Sequence, residues 1–247
     1  MYLRQVHEEA DLDALHSFIR ENPLGILTTA IDSPSYPFLQ SSHIPWILDR
    51  TDEAKIGVLR GHMARANPQA KALIEALEKT GTAGPGKLDR DVLVLFNNPV
   101  HHYVTPKFYT QTKPTTGKVV STWNYAAVQV YGKLTVYYRN DSATASFLTA
   151  QTETLTEHAE TQIMGFEQPW RITDAPESYI ELLKNAIIGV EITIEDIGGK
   201  FKMSQEMPQG DREGVIAGFA SMGSETTTKL SELVKRRGEM ADEKKRK

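Results

Sequence analysis

The sequence predicts a mainly β fold of the α+β class, an antiparallel β-barrel closed on itself with helices at its periphery. Three observations carry that expectation. Extended runs arrive in hairpin-length steps near the start, over residues 25–31 and 38–48. Two later stretches, 128–136 and 187–195, alternate apolar and polar residues with a period of two, as half-buried antiparallel strands do. Helical patterns are inserted irregularly between them, which disfavours a doubly wound parallel sheet.

Taken in order, residues 8–21 place Leu12, Leu15, Phe18 and Ile19 at helical spacing, and the helix ends before Pro23. The β-branched run GILTTAI and the second run after DSPSYP read as a hairpin. A third strand, 56–60, leads into GHMARANPQ (61–69) and a helix over 68–79 with Leu73, Ala76 and Leu77 inward and Glu75 and Lys79 paired outside. Residues 80–88 fit the first seven positions of a phosphate loop, but Leu88 stands where Ser or Thr is needed and the segment precedes a strand, so it reads as a connection. The continuously apolar run 91–96 predicts a strand buried on both faces. An irregular segment with His101 and His102 follows, then the long alternating strand from 128. Helices are expected from Asp141 to about His158 and from Pro176, then the strand 187–195, a last short strand 201–204, and helices over 211–222 and 225–237. The whole reads as one domain, 1–237, with a charged, solvated tail at 238–247.

Composition narrows the chemistry. The 247 residues hold 28 Lys and Arg against 32 Asp and Glu, so no global basic field draws nucleic acid, and direct DNA binding is disfavoured. No cysteine is present, which removes disulfides, thiolate metal sites and cysteine nucleophiles together. No apolar run approaches the roughly 20 residues that cross a bilayer, and the acidic N-terminal stretch has no secretory h-region. The expected location is therefore intracellular, in the cytoplasm or the nucleus. Seven histidines show no HExxH or comparable spacing, and adjacent His101 and His102 would face opposite sides of a strand, so no metal site is expected. No GxGxxG appears either.

Two stretches carry ligand-type chemistry. In GHMARANPQ, Asn67 suits a helix N-cap and Pro68 the first helical position, so the free N–H groups of that turn beside Arg65 would suit a phosphate. Thr122, Trp123 and Asn124 place an aromatic face beside hydroxyl and amide groups in one short stretch.

Five ordered motifs, SHIPWILD, GHMARANPQ, VLVLFNNPVHHYVTPKFY, STWNYAAVQVYG and KMSQEM, resemble the PaiB family of FMN-binding negative transcriptional regulators. The resemblance covers most of the chain. It implies a split antiparallel Greek-key β-barrel, like that of pyridoxamine-phosphate-oxidase-like flavoproteins, forming homodimers with flavin at the subunit interface. Ala70, Gln129 and Glu206 depart from the family's usual aromatic, histidine and asparagine. FMN makes three demands. Its phosphate would be met by Arg65, the Asn67 turn, Lys202 and Ser204. Its ring would lie against Thr122, Trp123 and Asn124, and charge near N1 would be tuned by His43, His62 or Gln205. The expected function is flavin-dependent redox chemistry on a small molecule, with no residue marked as catalytic acid, base or nucleophile. The alternatives are a transcriptional regulator without a recognisable DNA-binding motif, and a haem protein with His43, His62, His101 or His102 as axial ligand.

Overall fold

The computed structural model describes residues 1–51, 54–79, 81 and 84–246. In chain order the described residues form β1 (Glu8–Glu9), α1 (Leu12–Glu21), β2 (Leu24–Ala30), β3 (Leu39–Pro45), β4 (Ile47–Asp49), β5 (Val58–Ala64), α2 (Pro68–Glu78), β6 (Gly86–Asn97), β7 (His102–Val104), α3 (Thr112–Thr116), β8 (Thr122–Tyr137), α4 (Ser142–His158), α5 (Glu177–Asn185), β9 (Ile187–Lys202), α6 (Gln209–Ser221) and α7 (Glu225–Arg246). Two compact units share these elements. The first takes Met1–Phe18, Asn97–Val128 and Gly198–Lys247, and the second takes Ile19–Phe96 and Gln129–Ile197.

The second unit is the barrel. Its strands follow the order β3-β2-β6-β8-β9-β5-β4. β2 pairs antiparallel with β3 and β6, and β5 with β4 and β9. The two ends of that path are consecutive pieces of chain, separated only by Trp46. One run, residues 39–49, therefore supplies both edge strands of the path. Trp46 is 1% exposed. Its indole occupies space where Gly25 and Gly61 have no side chain: a Cβ would stand 2.9 Å from its Cδ1 at Gly25 and 3.1 Å from its Cε3 at Gly61. In the same unit Leu27, Ile44, Leu59, Val94, Leu134 and Ile192 are fully buried. Outside, Phe147 of α4 stacks on Tyr137 at 4.0 Å and covers β9 at Gly189.

The first unit gathers both termini. β1 pairs with the last residues of β9, and β7 with the start of β8. Helix α6 is anchored by Asp211, which accepts from the backbone N–H groups of Gln111 (2.8 Å) and Thr112 (2.9 Å). Helix α7 is held by two ion pairs, Arg237 with Glu9 and Arg212 with Asp242.

Several elements differ from the sequence expectation. The first helix begins at Leu12, because Glu8 and Glu9 join the sheet opposite Lys200 and Gly199. β9 runs unbroken through Gly198 and Gly199, so the expected short strand at 201–204 is its end followed by a turn. Residues 238–246, expected as a solvated tail, are helical and contribute Asp242 to an ion pair. Only one face of β6 is fully buried: Val92, Val94 and Phe96 are inside, and Leu93 and Leu95 are half-buried. In the phosphate-loop-like segment Thr80, Thr82 and Ala83 lie outside the described residues, as does Lys247 of the tail, and Gly86, Lys87 and Leu88 belong to β6.

Candidate functional site

Four of the ten candidate residues stand in the second unit and six in the first. In the second unit, β5 continues through Gly61 to Ala64, so the turn is reduced to residues 65–67. Asn67 caps α2: its Oδ1 accepts from the Gln69 N–H at 2.8 Å, and its Nδ2 donates to Ser42 Oγ at 3.0 Å. The Arg65 guanidinium donates to three main-chain oxygens, those of Tyr138 (2.9 Å), Asn185 (3.3 Å) and Ile187 (3.4 Å). It ties the turn to the barrel wall, a structural duty that the spacing of the motif did not reveal. Gln69, which sequence reasoning passed over, does the same from inside. Its buried Nε2 lies within hydrogen-bond distance of Leu27 O, Thr29 Oγ1 and Gln40 O. The signal for it was a polar residue on the helix stripe that carries Leu73 and Leu77.

His62 lies on the face of β5 opposite Leu59 and Met63. Its Nδ1 is buried without a partner, and burial pushes its pKa below the ordinary imidazole value, which favours the neutral ring. His43 is exposed on β3, across from Ile26. Beside Arg65 opens a cavity of about 490 Å³. Its charged lining holds Arg65, Arg139 and Lys184 against Asp141, Glu153 and Glu181, so it has no preference for anions.

The first unit assembles a different kind of surface. Trp123 and Tyr103 are cross-strand partners on β8 and β7. They stand 48% and 43% exposed, with rings edge to face at 6.2 Å. The Trp123 indole N–H donates to His101 Nδ1 at 3.3 Å, and the two rings lie 6.1 Å apart. His102 turns the other way: its Nδ1 donates to Tyr103 O at 2.8 Å, and its ring packs on Phe219. The adjacent histidines thus serve opposite faces, as their spacing predicts. Lys202 reaches the ledge from β9, where its Nζ donates to Thr122 Oγ1 and to Trp123 O (3.1 Å). Burial pulls its pKa below the ordinary lysine value.

Asn124, Ser204 and Gln205 are chain neighbours of Trp123 and Lys202 and are buried. Asn124 and Ser204 are fully buried and bonded to one another, Nδ2 to Oγ at 3.0 Å and Oγ to Oδ1 at 3.1 Å. Gln205 accepts from Met203 N at 2.7 Å and donates to Val6 O at 3.0 Å and to Phe201 O. All three commit their polar atoms internally. Nearby, Tyr109 has a buried hydroxyl without a partner, and its pKa is pushed up to about 12 by burial and by Glu206, Asp211 and Tyr103.

An exposed indole beside a tyrosine ring, with an ammonium and a hydroxyl at its edge, suits a planar heteroaromatic group that carries negative charge. Those residues fit a flavin nucleotide. Among the described residues no group of three His, Asp or Glu could hold a metal ion, and no helix is long and apolar enough to cross a membrane.

A protein of Emericella nidulans, described as uncharacterized, is 58% identical over 99% of this chain and all of its own length. The protease synthase and sporulation protein PAI 2 of Bacillus subtilis is 26% identical over 95% of this chain and 96% of its own. Among solved structures, an FAD and heme binding protein from Mycobacterium smegmatis is similar at a TM-score of 0.46 and 14% identity, over 86% of this chain and 80% of that one. A family model described as "Putative FMN-binding domain" matches residues 1–196. That match spans most of the sequence, and the chain accordingly belongs to this family of FMN-binding domains.

Proposed function

We propose that the protein binds FMN at the Trp123 ledge and is a flavin-dependent redox protein acting on a small molecule. The observation that carries this reading is the half-exposed Trp123, joined to Tyr103 and His101 and bordered by Lys202. When bound, the flavin supplies the electron or hydride transfer, which no side chain here can perform alone. The chain's own residues do the holding. Trp123 and Tyr103 offer the apolar wall, while Lys202 and Thr122 offer a cation and a hydroxyl to an anionic edge. Asn124, Ser204 and Gln205 act as positioning residues that fix the strand ends carrying the ledge.

Arg65, Asn67, His43 and His62 form the second set in this proposal. Arg65 brings positive charge to the turn while its committed donors hold the turn's shape. We assign the functional unit to a homodimer with cofactor at the interface, since aromatic rings left this exposed on one protomer favour cover by another surface.

Visible absorption of the purified protein, before and after incubation with FMN and desalting, tests the reading. Retained flavin bands are expected, reduced in Trp123→Ala and in Lys202→Gln, with helix content unchanged by circular dichroism. Protein that stays colourless in excess FMN would overturn the flavin assignment. A Soret band instead would move it to haem.

A further inference from the structure

In the first unit a cavity of about 270 Å³ opens beside one face of α7 and the N-terminal segment. Arg237, Met240 and Lys244 follow one another at helical spacing along that face, with Lys245 next to them, and Val6 and Glu8 stand among the other lining residues. The lining itself thus holds three cations and one acid, Glu8, while Glu9 pairs with Arg237 and Asp242 lies 3.9 Å from Lys245 just outside it. The cavity beside Arg65 has the same number of cations but equal acids in its lining.

Arg237 makes it more than a cluster of surface lysines. Its side chain is only 10% exposed, and its guanidinium lies 3.7 Å from the centre of the Phe201 ring with Nη1 donating to Glu9. Nε is buried with no partner, and among the described residues Nη2 makes no hydrogen bond. With Nη1 on Glu9 and Nε buried, Nη2 is the nitrogen of this oriented guanidinium left to meet an anion. Lys244 and Lys245 also complement the negative end of α7, but that role needs neither Arg237 nor a cavity. Val6 and Met240 give the cavity an apolar wall.

We propose that this cavity binds a small phosphate monoester with a short apolar tail, the phosphate on Arg237, Lys244 and Lys245 and the tail against Val6 and Met240. The probe is hexyl phosphate, titrated calorimetrically into the full chain, with hexanol and hexanoate as comparison ligands. Saturable binding is expected, weakened about tenfold or more in Lys244→Gln/Lys245→Gln and unchanged in Lys235→Gln/Arg236→Gln, which removes the same charge from exposed positions outside the cavity lining. Hexanol should not bind. Absence of saturable binding at millimolar concentration, equal affinity in the first double variant, or equal loss in the second would overturn the proposal. Tighter binding of hexanoate than of hexyl phosphate would overturn the choice of phosphate.

Discussion

Ser204 has φ +59°, the left-handed region, and is the one non-glycine residue there among the described residues. Such a conformation costs on the order of 1–3 kcal/mol unless its surroundings hold it. Here the Asn124 amide holds the hydroxyl, and the Gln205 side chain holds the preceding backbone at Met203 N and Phe201 O. The KMSQEM motif was legible as a place of importance, but its role was not: spacing cannot tell a ligand contact from a buried staple, and the partner Asn124 is 80 residues away. His62 illustrates a second residue-scale effect. Its folded-state pKa lies below the ordinary 6.5, so between the two values the unfolded chain binds more protons than the folded one. Stability is then full above about pH 6.5 and falls as pH drops through that window. Urea midpoints measured from pH 7.5 down to pH 5 should decline, and His62→Gln should flatten the part of the decline that the ring causes. An identical slope in the variant would assign it to other groups.

At the scale of elements, the alternating strands were readable because a period of two is local, and β8 and β9 show it directly. Their ends were not, because what continues β9 past Gly199 is pairing with β1 at the other end of the sequence. Helix α7 shows the same limit. Its charged sequence looked like a solvated terminus, yet Glu9 and Phe201 give Arg237 a buried berth. Breaking one partner of a buried pair leaves an uncompensated charge, so Arg237→Met should destabilise by about 3–5 kcal/mol in chemical unfolding. The double variant Glu9→Gln/Arg237→Met should recover much of that loss. A double variant as unstable as the single one would show that α7 is held by packing on Phe201 rather than by the ion pair.

For the whole molecule, the barrel class followed from hairpin steps and irregular helices. Both units draw on segments from distant parts of the chain, and no composition shift marks their borders. Within the barrel, Trp46 is buried where Gly25 and Gly61 make room. Trp46→Ala should cost about 3–5 kcal/mol through lost burial and the cavity left behind, read as a lower midpoint in urea. Retention of wild-type stability would mean that the surrounding strands collapse into the gap.

The run 39–49 has a further consequence, for the fidelity of strand pairing. Because a single residue separates β3 from β4, a slip of β3 by one position along β2 would drag β4 by one position along β5. Each slip alone would turn a set of apolar side chains to the wrong face, and here neither can happen without the other. The chain thereby proofreads its own alignment: two registers on opposite edges are checked against each other by one residue with no slack.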